Sequence, residues 1–208
     1  MHRDDMHRDD MHRDDDSMDR DPVGMDRGGP AGRDRRGGRA DRSLDGMDRR
    51  LLSMVHAYGD HPRIAATARA LSRSGEHGAL WLAAGLAGAA VDRERRGAWL
   101  RATVLTATAH LASMGVKRIV RRPRPTHVRP LVRTAGRHSF PSSHATSAAA
   151  AAVSFGALGA PVAVPLAAAM CLSRLVVGVH YPTDVAAGAA LGAATAGLGA
   201  RWIGVRHA

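Results

Sequence analysis

"APVAVPLAAAMCLSRLVVGVHYPTDVAAGAALGAATAGLGA", Ala160 to Ala200, reads as two apolar segments joined by a short polar turn. The segments are rich in Ala and Gly, a composition that lets helices pack closely. The turn, Ser173 to Asp184, sets Arg174, His180 and Asp184 among residues that are otherwise mostly aliphatic. A charge at the centre of a bilayer costs about 2.5 to 3.5 kcal/mol even on insertion scales. Charged groups gathered at the ends of apolar helices therefore point to a site.

Outward from this stretch the same texture repeats. Apolar runs cover 78–91, 98–116, 145–158, 161–178 and 185–200. Several hold only 14 to 16 uninterrupted apolar residues, short of the roughly 20 that cross a bilayer core, so spanning needs their flanks, tilt or local thinning. Upstream, "PRIAATARALSRSG", 62–75, keeps a helical period but carries three Arg, which suits an interfacial helix better than a span. The expected architecture is all-α: a multi-pass membrane helical bundle of about five spans with an N-terminal interfacial helix. A soluble bundle of buried Ala-rich helices is the alternative.

Charge divides the 208-residue chain. Residues 1–50 hold 14 Asp and 12 Arg, including three copies of "MHRDD". With no apolar stripe to bury, this segment is expected to be a disordered low-complexity tail, leaving 51–208 as the functional domain. That domain carries 18 basic residues against five acidic ones. Only 3% of the chain is aromatic, too little to stack bases, so nucleic acid is not the expected partner. Anionic lipid headgroups or phosphorylated substrates fit a basic apolar body better. The single cysteine, Cys171, rules out an intrachain disulfide.

Of the 30 basic side chains 29 are Arg; the exception, Lys117, marks a place for a compact ammonium. It opens "KRIVRRPRPTHVRPLVRTAGRHSFPSSH", 117–144, with eight basic residues and no acid. Prolines 123, 125 and 130 exclude a regular helix through its centre. At its end, Pro141 suits a helix start, Ser142 and Ser143 supply hydroxyls, and first-turn N–H groups lack backbone acceptors. Together these make an anion site. His144 stands at its edge, where a proton-transferring group is useful; alone it reads equally as a capping or surface histidine. Arg174 adds a planar fork for phosphate oxygens. His180 and Asp184, four apart around Pro182, allow a carboxylate to fix the imidazole tautomer and free the other nitrogen for attack; alone they read equally as a structural pair. His110, His127 and His138 are expected to pack or to line the loop. With spans at the five runs, the 117–144 loop and the 173–184 turn fall on the same membrane face.

Three blocks at these spacings resemble the type 2 phosphatidic acid phosphatase superfamily of membrane lipid phosphatases. They are Lys117 to Arg124-Pro125, Pro141-Ser142-Ser143-His144, and Ser173-Arg174 through His180 to Asp184. Ser143 departs from that pattern, standing where the family has glycine. The resemblance covers roughly 62–205 and implies a fold of the histidine-phosphatase and vanadium haloperoxidase kind. It implies metal-independent hydrolysis of a phosphomonoester on a membrane lipid through a phosphohistidine, with no cofactor. His180 is then the nucleophile, Asp184 its orienting carboxylate, and His144 the acid and base. Lys117, Arg124, Arg174, Ser142 and Ser143 hold the phosphoryl oxygens. "ALSRSGEHGALWLAAG" and "FPSSHATS" further resemble the actinobacterial branch acting on decaprenylphosphoryl phosphoribose; phosphatidic acid-like substrates are the other expectation. The positive-inside tendency places the catalytic face on the cytoplasmic side of the plasma membrane. Alternatives are a prenyl diphosphate phosphatase, a non-catalytic anionic-lipid binder, or a soluble haloperoxidase-like relative.

Overall fold

The computed structural model describes residues 37–134 and 136–203. Its helices are α1 (Gly37–His56), α2 (Pro62–Ser74), α3 (Ala79–Val91), α4 (Arg96–Val120), α5 (Ser143–Gly156), α6 (Ala163–Val176), α7 (Pro182–Leu198) and the short α8 (Ala200–Ile203). Among the described residues the one β-type pairing is an isolated bridge between Pro123 and His138. The all-α expectation holds, and each of the five apolar runs is a helix, α3 to α7. The expected interfacial helix is α2. Residues 1–36, expected to be a disordered tail, lie outside the described residues. Residues 37–50, expected to belong to that tail, form the first part of α1, so a helix crosses the boundary drawn at residue 50.

No helix of the described residues is long and apolar enough to cross a membrane. The reason is visible in the elements. Helices α3, α5 and α6 have 13, 14 and 14 residues, or about 20 Å each at 1.5 Å per residue. The 25-residue α4 is long enough but carries Arg96, Arg101, Lys117 and Arg118.

Helix α5 is the axis of the bundle. Ala145, Ala148, Ala150 and Ala151 are fully buried, and α3, α4, α6 and α7 pack around it. Two of its buried hydroxyls are satisfied within the helix: Thr146 Oγ1 donates to the Ser142 carbonyl at 3.0 Å and Ser147 Oγ to that of Ser143 at 3.0 Å. The buried Ser154 hydroxyl has no such partner. The larger side chains Trp81, Trp99, Phe155 and Met170 belong to the main core.

The closest approach is between α5 and α7. A Cβ on Gly192 would stand 2.1 Å from the Thr146 carbonyl oxygen, and one on Gly188 would stand 2.5 Å from that of Ser142. Two glycines four residues apart thus let the backbones touch, and the Ser142 N–H donates to the Asp184 carbonyl at 2.9 Å. Consequently the start of α5 is locked against the start of α7. The ends of α2, α4 and α6 converge on the same end of the bundle, which carries the polar cavity described below. The 117–144 loop and the 173–184 turn share that end, as the span count requires.

Gly192→Val should therefore lower stability by about 1–3 kcal/mol, the usual cost of overpacking. Gly197→Ala, on the same helix with nothing within 4 Å of the new methyl, should be neutral or slightly stabilising. Thermal unfolding in detergent, followed by circular dichroism, compares the two; equal melting points would contradict the backbone contact.

Candidate active site

Six of the eight predicted site residues line one cavity of about 180 Å³: Lys117, Arg124, Ser143, His144, Arg174 and His180. Each arrives from a different element end. Lys117 lies in the last turn of α4, which Arg121 closes in the left-handed conformation, φ 51°. Arg124 follows on the loop, Ser143 and His144 open α5, Arg174 lies near the end of α6, and His180 precedes α7. The other two stand behind the wall. Asp184 is completely buried under His180. Ser142 is also fully buried, and its Oγ accepts from the Ala145 N–H at 3.4 Å as the N-cap of α5. Ser142 is thus placed to shape the helix start rather than to line the cavity.

Hydrogen-bond direction assigns the His180 tautomer. Arg124 Nη1 lies 3.4 Å from His180 Nε2, and a guanidinium can only donate. Nε2 is therefore the acceptor, and the ring proton sits on Nδ1, 3.6 Å from Asp184 Oδ2. The Nε2 lone pair is directed at Arg124, which lines the cavity together with His180. Arg124 is itself held by two carbonyls, Nε to Gly136 at 2.8 Å and Nη1 to Val179 at 2.8 Å. Arg174, almost fully buried, donates through Nη1 to Ser72 Oγ. The backbone carbonyl of that same Ser72 lies 3.0 Å from His144 Nε2, so one α2 residue positions a cation and a histidine. Gly75 completes this: a Cβ there would stand 2.6 Å from the His144 ring.

The cavity is electrostatically lopsided, with Lys117, Arg124, Arg133 and Arg174 on its wall against the single carboxylate of Glu76, and with the Asp184 carboxylate behind His180. The groups that follow all lie outside the five apolar runs. Burial pushes His180 down to about 3, and Arg174 and Arg124 add to that against the opposing pull of Asp184. Burial likewise lowers His144 to about 3, with Arg174 contributing. Burial and then Arg124 bring Lys117 down to about 8. Burial alone would raise the Asp184 carboxyl; the His180 ring, the Tyr181 N–H and the Arg122 charge outweigh it and hold the group below its ordinary value. At neutral pH the cavity thus presents neutral imidazoles beside fixed positive charge, a complement to a tetrahedral oxyanion.

Among the remaining histidines, His110 lines the cavity wall with its Nδ1 buried and unpartnered. His127 stacks on Tyr181 with centroids 6.1 Å apart, and His138 pairs with Pro123. Sequence reasoning missed Ser72, Arg122, Asp48 and Thr183. Arg122 looks like any other member of a basic run, and Asp48 belongs to a segment expected to be unstructured. A larger groove of about 530 Å³, lined by Val55, Ile64, Leu71, Leu172 and Val176 among others, contains none of the predicted site residues.

The PAP2 superfamily model matches residues 98–208, more than half of the chain. The chain belongs to the PAP2 superfamily. Within it, the chain is 45% identical over 157 residues to the decaprenylphosphoryl-5-phosphoribose phosphatase of Mycobacterium tuberculosis, covering 74% of this chain and 89% of that one. The protein of the same name from Mycolicibacterium smegmatis is 45% identical over 146 residues, 69% of this chain and 81% of that one. Among solved structures, a transmembrane PAP2-type phosphatidylglycerolphosphate phosphatase from Bacillus subtilis superposes with a TM-score of 0.64 at 21% identity. That match covers 77% of this chain and 86% of the other. This PAP2 protein is accordingly an enzyme, a phosphatase.

The two buried histidines make its stability depend on pH. An unfolded histidine titrates near 6.5, whereas His144 and His180 are held near 3 in the fold. Between those values the unfolded chain binds protons that the folded chain does not, so stability falls as pH drops from about 6.5 toward 3. His180→Gln should flatten this dependence. Melting temperatures of the two proteins from pH 7.5 to 4.5 measure it; an unchanged slope would show that His180 is not held neutral.

Proposed function

We propose that this PAP2 phosphatase hydrolyses a phosphomonoester carried on a membrane lipid, by way of a phosphohistidine on His180. The observation that carries the reading is the Arg124–His180–Asp184 arrangement on the wall of a cavity that Lys117, Arg124 and Arg174 also line. Nε2 attacks phosphorus in line with the departing oxygen. The three cations, Ser143 and the first-turn N–H groups of α5 hold the phosphoryl oxygens. Asp184 stabilises the positive charge that grows on the ring as the N–P bond forms.

His144 starts neutral, and the entering dianion raises its pKa by placing negative charge beside it. Once protonated it gives a proton to the leaving alkoxide, then takes one from the water that cleaves the phosphoenzyme. Such proton transfer contributes about 10²–10⁴-fold, so charge stabilisation and positioning supply the larger share. Ser143, at the family's glycine position, keeps the backbone N–H and adds a hydroxyl to the wall.

The substrate class follows from the relatives and from the surface. The mycobacterial relatives are named for decaprenylphosphoryl-5-phosphoribose, and we assign this chain the same kind of prenyl-linked phosphate. Leu86, Val91, Leu111, Val162, Leu172 and Leu198 are all more than half exposed along α3 to α7, while Ala, Ser, Thr and the charged site share the interior with Trp81, Trp99, Phe155 and Met170. That exposed apolar surface suits a bundle surrounded by lipid, as does the transmembrane description of the Bacillus relative. The short helices then hold the cavity at headgroup depth in a locally thinned bilayer. The cavity end also carries α1, α2 and the Arg-rich 117–144 loop, and the positive-inside tendency directs it to the cytoplasm.

His180→Ala should abolish both phosphate release and the labelled phosphoenzyme formed from a 5-³²P-labelled decaprenylphosphoryl phosphoribose in detergent with chelator. His144→Ala should slow release by about 10²–10⁴-fold while leaving substrate binding; full activity in either variant refutes its role. Lys117 loses its charge above pH about 8, so KM should climb through that pH. In Lys117→Arg, which stays protonated, the alkaline rise should vanish from the pH profile of KM.

A further inference from the structure

We propose that Asp48, on the N-terminal helix α1, is a positioning residue for the nucleophile, acting on Asp184 and His180 through Arg122 and Thr183. This rests on the phosphohistidine reading above.

The contacts form an unbroken chain. Arg122 Nη1 donates to Asp184 Oδ1 at 2.9 Å, and Arg122 Nη2 donates to Asp48 Oδ2 at 2.8 Å. One guanidinium fork thus bridges two carboxylates, each nearly or fully buried. Thr183 closes the ring: its N–H donates to Asp48 Oδ1 at 3.0 Å, its hydroxyl donates to Asp48 Oδ2, and Arg122 Nη1 donates to its oxygen at 2.7 Å. The Tyr181 ring lies under the guanidinium at 4.2 Å, and the Tyr181 N–H donates to Asp184 Oδ2 at 2.9 Å. Asp45 adds a longer, exposed contact to Arg122 at 3.2 Å.

Two consequences follow for His180. First, Asp48 pins the first turn of α7 from outside, fixing both Asp184 and the backbone that leads to His180. Second, it divides the charge of Arg122. If Arg122 faced Asp184 alone, it would neutralise more of the carboxylate that must stabilise the cation growing on the His180 ring. With Asp48 as a competing partner, Asp184 keeps more of its negative charge for that task. A purely structural α1 contact needs no buried carboxylate, since apolar residues pack a helix at lower desolvation cost. Asp48 also lies outside the 98–208 segment matched by the family model, so α1 extends the site beyond that segment.

The test compares wild type, Asp48→Asn, Thr183→Val, Arg122→Gln and the Asp48→Asn/Arg122→Gln double variant, all full-length in detergent. The readouts are phosphate release from decaprenylphosphoryl-5-phosphoribose, melting temperature, and the ¹⁵N shifts of the His180 ring. Asp48→Asn should lower kcat about tenfold with KM within twofold. Its ring shifts should move from the Nδ1–H tautomer toward an average of the two. Thr183→Val, which changes no charge, should shift both readouts in the same direction by less, and it carries the test if Asp48→Asn fails to fold. The double variant should lose less than the product of the two single losses, because Asp48 acts in part through Arg122. Unchanged kcat and ring shifts in both Asp48→Asn and Thr183→Val, or additive losses in the double variant, overturn the proposal. His180→Ala is the reference: if it still turns over, the phosphohistidine reading fails. If it is inactive while Asp48→Asn and Thr183→Val behave as wild type, only the positioning role fails.

Discussion

Backbone contact between α5 and α7 is the constraint on which the rest depends. Where Gly188 and Gly192 face Ser142 and Thr146, no side chain separates the helices, and the Ser142 N–H reaches the Asp184 carbonyl. That approach sets the His144 turn beside the His180 turn although they lie 36 residues apart in sequence. Small residues achieve this at little entropic cost to side chains, and intrahelical bonds satisfy the hydroxyls that line the contact. Widening the contact by one methyl group would move the start of α5 away from His180.

Around that contact the site is rich in positive charge. Lys117, Arg124, Arg133 and Arg174 line the cavity with Glu76 as its one wall carboxylate, while Asp184 lies behind His180 and is met from the rear by Arg122. The cations are held by neutral acceptors, the carbonyls of Gly136 and Val179 for Arg124 and the Ser72 hydroxyl for Arg174. Neutral acceptors orient a guanidinium without cancelling its field, which leaves the positive potential for the substrate. Burial, with the same field, holds both imidazoles well below their ordinary range.

The N-terminal helices serve the site as well as the fold. Ser72 of α2 touches both Arg174 and His144, and Asp48 of α1 reaches the first turn of α7. These elements precede the segment matched by the family model, so helices outside that segment hold residues within it in place.

Much of this was legible in the residues themselves. Apolar runs separated by Pro, Gly and Arg mark α3 to α7, because burial demands a continuous small-residue face and turns demand its interruption. The lone Lys117 and the spaced Arg, His and Asp mark the cavity, because phosphate chemistry needs those groups whatever surrounds them. The sequence did not separate Arg122 from its basic neighbours, reveal that Ser142 is consumed as an N-cap, or show that Asp48 is ordered. Those outcomes depend on which of several equivalent charges finds a buried partner across some 70 or more residues of chain. Local pattern determines which groups are available; only the packing of α1, α2 and α7 decides which of them meet, since burial and pairing are properties of distances that no short window of sequence contains.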